Sequence, residues 1–230
     1  ERAVTTYKDL YEIVQKYPNS LIASTACLGG ELSTCVSNML TCENVNDYEG
    51  RSEWYQRIID FITFCKNLFD DDFYIECAPA QSRDQITVNK KLIDIANFFK
   101  VPMVIGSDAH YLKQLDRYVH KAYLNSKGGE REVDDFYEYS YLQSEEEVIE
   151  NLQASYLDTE IKMMFYHSMN IYDKIENYSL EHKQTIPKVE VADYPKKGYA
   201  PGTLITDNYP ILDSLFNSDD KVERYWVNEC

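Results

Sequence analysis

Apolar residues recur along this chain first at helical spacing, then in short continuous runs, and the two patterns alternate. The opening "TTYKDLYEIVQKYPNS" predicts a short helix with Thr6 as N-cap, Asp9 three residues on, and Leu10, Ile13 and Val14 as its apolar face. Pro18-Asn19-Ser20 ends it, and "LIAST" (residues 21–25) predicts a strand that runs at once into Cys27-Leu28-Gly29-Gly30-Glu31. Residues 36–53 are polar and irregular, which predicts a loop or a weak helix. In "WYQRIIDFITFCKNLF" the positions Ile58, Ile62, Cys65 and Phe69 fall on one helical face. "FYIECA" reads as a strand ending near Glu76. "TVNKKLIDIANFFK" is helical again, with Leu92, Ile95, Ala96 and Phe99 together, and "VPMVIG" is a strand closed by Gly106.

Strand, helix, strand, helix, strand, with connections long enough for parallel crossovers, is the α/β signature. Further along, "LDRYVHKAYLNSK" predicts a helix with Val119, Tyr123 and His120 turned inward. Ser144 and Glu147 form a capping box ahead of a helix to Leu152, and "DTEIKMMFYHSMNIYDKIENY" is a helix with Ile161, Met164, Phe165 and Met169 aligned. From about Leu180 the chain turns rich in Pro, Lys and Gly, so a boundary is expected there, between residues 1–180 and 181–230. The final stretch is again partly helical. No internal repeat or low-complexity tract is visible.

The reactive residues fall at telling places. Cys27 follows the first strand, Glu76 ends the second, and Asp108 and His110 follow the third. In parallel α/β folds the C-terminal edge of the strands is where active sites are built. An Asp and a His two residues apart can converge on one ion if the turn bends. Thiolate, carboxylate and imidazole together suit zinc or another first-row divalent ion, and the last two alone also suit manganese. The structural alternative stays open: Asp108 capping the following turn, His110 merely packing, and Cys27 filling space beside Gly29 and Gly30. Ser24 and Ser107 lack the elbow sequence of a catalytic serine. His120, His167 and His182 fit structural roles better, and Gly128-Gly129 lacks the flanks of a phosphate loop.

Composition narrows the function classes. A net charge of −16 over 230 residues repels phosphate backbones, so duplex DNA is not held by electrostatics alone. Divalent cations reverse that sign locally. The six cysteines include no Cys-x-x-Cys pair, which leaves a zinc ribbon unsupported and predicts free thiols in a reducing, cytoplasmic compartment. No apolar run is long enough for a membrane span. Glu stands first rather than Met, and the last residues read as cut in mid-stream, so a fragment is expected. The 20 tyrosines have no functional account.

Several blocks together carry a resemblance: "LIASTACLGGEL", "FYIECAPAQSRDQITVNKKLIDIANFFKVPMVIGSDAHYLKQLDRYVHKAYL" and "YLQSEEEVIENL". In order and gaps they resemble the bacterial replicative (C-family) DNA polymerase III alpha subunit, in the later half of its polymerase-and-histidinol-phosphatase (PHP) domain. The family shows Cys-Leu-x-Gly-Glu after a strand, an Asn before the next helix (Asn89 here), and Asp-Ala-His-Tyr-Leu. An Asp and a His follow (Asp116 and His120 here), then a Ser-x-Glu-Glu helix start. The stretch after residue 180 is similar to the lead-in to the palm.

The resemblance implies the second half of a distorted (β/α)7 barrel followed by a mainly helical connector. Cys27, Asp108 and His110 match family metal ligands, with Glu31, Glu76 and His120 as candidates for the surrounding shell. The family's His-x-His and further ligands belong to the barrel's first half, so three ligands alone imply weak isolated metal binding. In a complete parent the implied activity is DNA-directed DNA synthesis, with magnesium in a palm that this chain lacks. The PHP part is then a candidate phosphoesterase, an exonuclease or a pyrophosphatase. DNA, dNTPs, a clamp and a proofreading subunit are the implied partners. The competing readings are a free-standing phosphoesterase and a metal-free scaffold that docks replisome proteins.

Overall fold

The computed structural model describes residues 5–126, 137–179, 181, 190–199, 203 and 207–229. Gly128-Gly129, His182 and Cys230 lie outside them. Internal contacts divide the chain into one unit of Glu1–Asn177 and another of Tyr178–Cys230.

The first unit is α/β and is organised on a parallel sheet of β1 (Ala23–Ser24), β2 (Phe73–Cys77) and β3 (Met103–Ile105), in that order. Ala23 pairs with Phe73, and Glu76 with Val104. Neighbours in the sheet are neighbours in sequence, so the chain winds in one direction. β2 is buried along four of its five residues, as a strand covered on both faces must be.

Helix α1 (Tyr7–Lys16) starts on the expected capping box, Thr6 with Asp9. It buries Val14 and leaves Ile13 largely exposed. Of the two alternatives read for the polar stretch, loop or weak helix, the structure shows helix: most of α2 (Glu31–Asn44) and the first turns of α3 (Tyr48–Phe69). Propensity there is weak, since α2 buries Ser33 and Cys35 beside Leu32, Val36 and Met39. Packing along α3 supplies what local preference lacks. The α3 stripe of Ile58, Ile62, Cys65 and Phe69 is buried as its spacing demands. Full burial of either isoleucine is worth about 1.5–3 kcal/mol in transfer terms.

Helix α4 (Arg83–Phe99) is capped by Ser82, whose hydroxyl accepts from the Gln85 N–H. Asn89 sits inside this helix with no solvent exposure, rather than ahead of it as its family pattern suggested. After β3 come α5 (Arg117–Asn125), α6 (Glu145–Leu152) and α7 (Asp158–Lys174). The Ser144–Glu147 capping box opens α6 as expected. Helix α7 packs on β3 through Ile161 and Met164, while Met169 is mostly exposed. Lys174, in its last turn, donates to the Asp71 carbonyl at 2.9 Å, Asp72 Oδ1 at 2.6 Å and the Tyr74 hydroxyl at 3.0 Å. Helix α5 corrects the sequence reading: Val119 and Tyr123 point largely to solvent and no residue of the helix is buried.

In the second unit, α8 (Pro210–Phe216) and α9 (Lys221–Glu229) pack on each other. Arg224 is buried there, donating Nε to the Tyr194 carbonyl at 2.7 Å and Nη1 to the Ser218 carbonyl at 2.6 Å, with Asp193 as its counter-ion. Among the described residues no helix is long and apolar enough to cross a membrane.

Candidate functional site

The C-terminal ends of β1, β2 and β3 form one edge, and a small cavity of about 40 Å³ opens there. Its lining includes Cys27 from the turn after β1, Ala78 and Pro79 after β2, and Ser107 and Asp108 after β3. Gln85 of α4 and Ser140 complete much of the rest. That volume admits one small ion or a water molecule or two.

Two turns at this edge hold non-glycine residues in the left-handed region, Ala26 at φ 59° and Asp108 at φ 43°. Asp tolerates this conformation through local hydrogen bonding; Ala has no such compensation. Both therefore aim the chain where an ordinary turn would not. Gly30, the N-cap of α2, is confined in the same place: a Cβ there would lie 2.4 Å from the Thr25 carbonyl oxygen.

The segment after Asp108 is pinned by pairing that has no local signal. The His110 and Tyr111 N–H groups both donate to the Ser140 carbonyl, at 2.7 and 3.3 Å, and Leu142 N–H returns to the Tyr111 carbonyl at 3.0 Å. This makes a parallel bridge, Tyr111 to Tyr141, that carries residues 137–142 to the rim. Asp108 Oδ1 stands 3.3 Å from His110 Nε2. The His110 ring lies 4.9 Å from that of Tyr137 and 5.4 Å from that of His120, centroid to centroid. Loss of solvent, and then the neighbouring His110, hold the His120 imidazole below its ordinary pKa.

The candidates are thus partly brought together. Cys27 and Asp108 face one cavity, and Asp108 and His110 face each other. Glu76 turns along the edge instead, where its Oε2 accepts from the Ser24 hydroxyl at 2.5 Å and its N–H donates to Thr25 Oγ1 at 3.0 Å. Its carboxylate lies over Gly106, whose missing Cβ would meet Oε1 at 1.9 Å. Glu31 starts α2 and accepts from the Tyr7 hydroxyl. Neither Glu31 nor Glu76 lines the cavity. His167 hydrogen-bonds the Met103 carbonyl at 2.9 Å and holds α7 on β3. Cys65 and Cys77 are buried and free, as their patterns suggested.

The divalent metals implied by the family resemblance meet a suitable donor chemistry here but an incomplete donor set. Among the described residues no three His, Cys, Asp or Glu side chains stand close enough to enclose an ion.

Sequence reasoning missed the hydrogen-bonded amides around the site, naming only Asn89, and that through the family pattern. Asn89 Nδ2 donates to the Ala78 carbonyl at 3.0 Å and its Oδ1 accepts from Gln85 Nε2 at 2.9 Å. Gln143 Nε2 donates to the Pro79 carbonyl at 2.9 Å and the Tyr139 carbonyl at 2.8 Å, while Gln143 Oε1 accepts from Asn151 at 2.9 Å. Gln and Asn read as solvent-facing wherever they stand, and nothing local marks these otherwise.

A parallel α/β segment with a thiol, an acid and an imidazole on the turns after its strands defines the class at the level of fold and edge chemistry. Sequence relatives define it more narrowly. No family model matches the chain. It is 39% identical over 227 residues, 98% of its length, to the probable DNA polymerase YorL of Bacillus subtilis, and equally to a DNA-directed DNA polymerase of Bacillus phage SPbeta. Over 110 residues, 48% of this chain, it is 34% identical to the DNA polymerase III subunit alpha of Aquifex aeolicus. The chain spans 17% of the length of the first two relatives and 8% of the third. It is related to a segment of bacterial and phage DNA polymerases, the DNA polymerase III alpha subunits among them, as its Cys-Leu-x-Gly-Glu and Asp-Ala-His-Tyr-Leu blocks imply.

Proposed function

We propose that this chain is a segment of a DNA-directed DNA polymerase of the DNA polymerase III alpha type, corresponding to the later half of its PHP domain. Cys27, Asp108 and His110 are, on this reading, part of a divalent-metal site whose other ligands come from elsewhere in the polymerase. The observation that carries the reading is the match of nearly the whole chain to one stretch of two polymerases. The parallel sheet in one-directional order is what an arc of a barrel requires, as is one half of a doubly wound sheet. The cavity between Cys27 and Asp108 supports a small ion at this edge. A metal held there supplies Lewis-acid activation of water for phosphoester or pyrophosphate hydrolysis. The chain's own contribution is orientation: Asp108 holds the His110 ring, and the Ser140 carbonyl holds its backbone. With a net charge of −16, contact with DNA falls to other parts of the polymerase.

One observation favours a second reading, a metal-free scaffold that docks replisome proteins: no closed ligand group exists among the described residues. A single measurement separates the two. Metal content and 3′–5′ exonuclease activity are compared for the full-length polymerase, Asp108→Ala and His110→Ala. The site reading expects both variants to lose bound metal and hydrolysis together. Unchanged metal content in both removes the site and leaves the scaffold.

A further inference from the structure

The wall of the Cys27–Asp108 cavity between β2 and α4 is the short loop Ala78-Pro79-Ala80. Two consecutive carbonyls of this loop, those of Ala78 and Pro79, each receive a side-chain N–H from a different helical region. One relay runs within α4: Gln85 donates to Asn89, and Asn89 donates to Ala78. The other runs back from α6: Asn151 donates to Gln143, and Gln143 donates to Pro79 and to Tyr139, next to the cavity-lining Ser140. Both relays are carboxamide pairs in head-to-tail order, and both end on the same loop.

Gln85, Asn89 and Asn151 are all under a tenth exposed. Buried amides at this density are costly unless satisfied, and satisfied chains of them polarise one another and fix geometry. Tyr156 adds a second hold on α4, its hydroxyl donating to the Asn89 carbonyl at 2.9 Å. The loop has few holds of its own. Pro79 offers no N–H, and the one short-range backbone bond is Ala80 N–H to the Ala78 carbonyl at 3.0 Å.

We infer that Gln85–Asn89 and Asn151–Gln143 are positioning residues that hold the Ala78–Ala80 loop as the closed wall of the Cys27–Asp108 cavity. The inference deepens the proposed site but is tested without reference to a metal. In the purified chain, the rate at which iodoacetamide modifies Cys27 is read by peptide mass spectrometry. Cys42, at the far end of α2 and also partly exposed, is the internal control. Gln143→Met keeps the side-chain length and removes both donations. Freeing two hydrogen bonds of ordinary strength is expected to raise the Cys27 rate about tenfold or more, with Cys42 unchanged within about twofold. Asn151→Leu is expected to give a smaller rise, and to add nothing in the Gln143→Met background because the relay is already cut. Rescue of slow labelling by Gln143→Lys, which restores one donor, would agree. A Cys27 rate in Gln143→Met within about twofold of the parent overturns the inference. So does a parallel rise at Cys42, Cys65 and Cys77, which reports general loosening rather than a moved wall. Failure of the metal measurement with Asp108→Ala would leave these rates as they are, so the two ideas fall separately.

Discussion

The close approach of Glu76 to Gly106 makes a quantitative prediction. An alanine Cβ at 106 would sit 1.9 Å from Oε1, 2.3 Å from Cδ and 2.6 Å from Cγ of Glu76. All three are far inside contact distance, so the Glu76 side chain must swing away and release the Ser24 hydroxyl at 2.5 Å. A hydrogen bond to a charged group contributes about 1.5–3 kcal/mol, and partial exposure of this one brings it to the lower end. The backbone at 106 lies outside the left-handed region, so alanine itself is tolerated and gains about 0.4–1 kcal/mol by restricting the unfolded chain. Gly106→Ala should therefore destabilise the first unit by about 1 kcal/mol. In a Glu76→Ala background the same change should stabilise it by about 0.5 kcal/mol, a coupling near 1.5 kcal/mol. Urea unfolding followed by Trp54 fluorescence, with Trp226→Phe in every protein, reads the first unit alone. Costs that add within about 0.3–0.5 kcal/mol would show that Glu76 is not held over Gly106, and the reasoning would fail.

Other consequences follow from the same edge and core. Ala26→Gly relieves a left-handed alanine and should raise stability by about 1 kcal/mol in the same urea assay; a loss would mean that the turn is not strained. Burial pushes the Cys65 and Cys77 thiols up to about 12, so native labelling at pH 8 should modify Cys27 well before either. Equal rates at Cys27 and Cys77 would contradict the buried placement. The Ser144 N–H, then the Tyr141 hydroxyl, hold the Glu147 carboxyl below its ordinary value, and Thr6 does the same for Asp9. A depressed carboxyl stabilises the fold above the ordinary carboxylate range, about pH 4, and that contribution fades as pH falls through the folded value. Carbon chemical shifts at the start of α6 should thus show fraying on acidification, and Glu147→Gln should flatten that response; an unaltered response would reject the cap as its source.

Much of the fold was legible because its signals are local. The four-residue stripe of α3 and the two capping boxes need only neighbours three or four positions away. Helix α2 was legible only as one of two alternatives, loop or weak helix, since its burial of Ser33 and Cys35 makes sense only against α3. The inward face expected for α5 was misread for a related reason: an apolar letter at helical spacing does not say whether another element lies against it, and Val119 and Tyr123 are more than half exposed. At the site, Cys27, Asp108 and His110 stood out by residue type and by position after strands. The amides at 85, 143 and 151 did not, and Asn89 did so only through the family pattern, because a hydrogen-bonded carboxamide inside the fold and a solvated one are the same letter. The bridge from Tyr111 to Tyr141 joins positions thirty residues apart and leaves no trace in either segment.

Lys174 gives the first unit a mechanical property. Its ammonium ties the last turn of α7 to the residues that begin β2, at the opposite edge of the sheet from Cys27 and Asp108. Within the first unit, a displacement of the last turn of α7 is therefore taken up where β2 begins, away from the turns that carry Cys27 and Asp108.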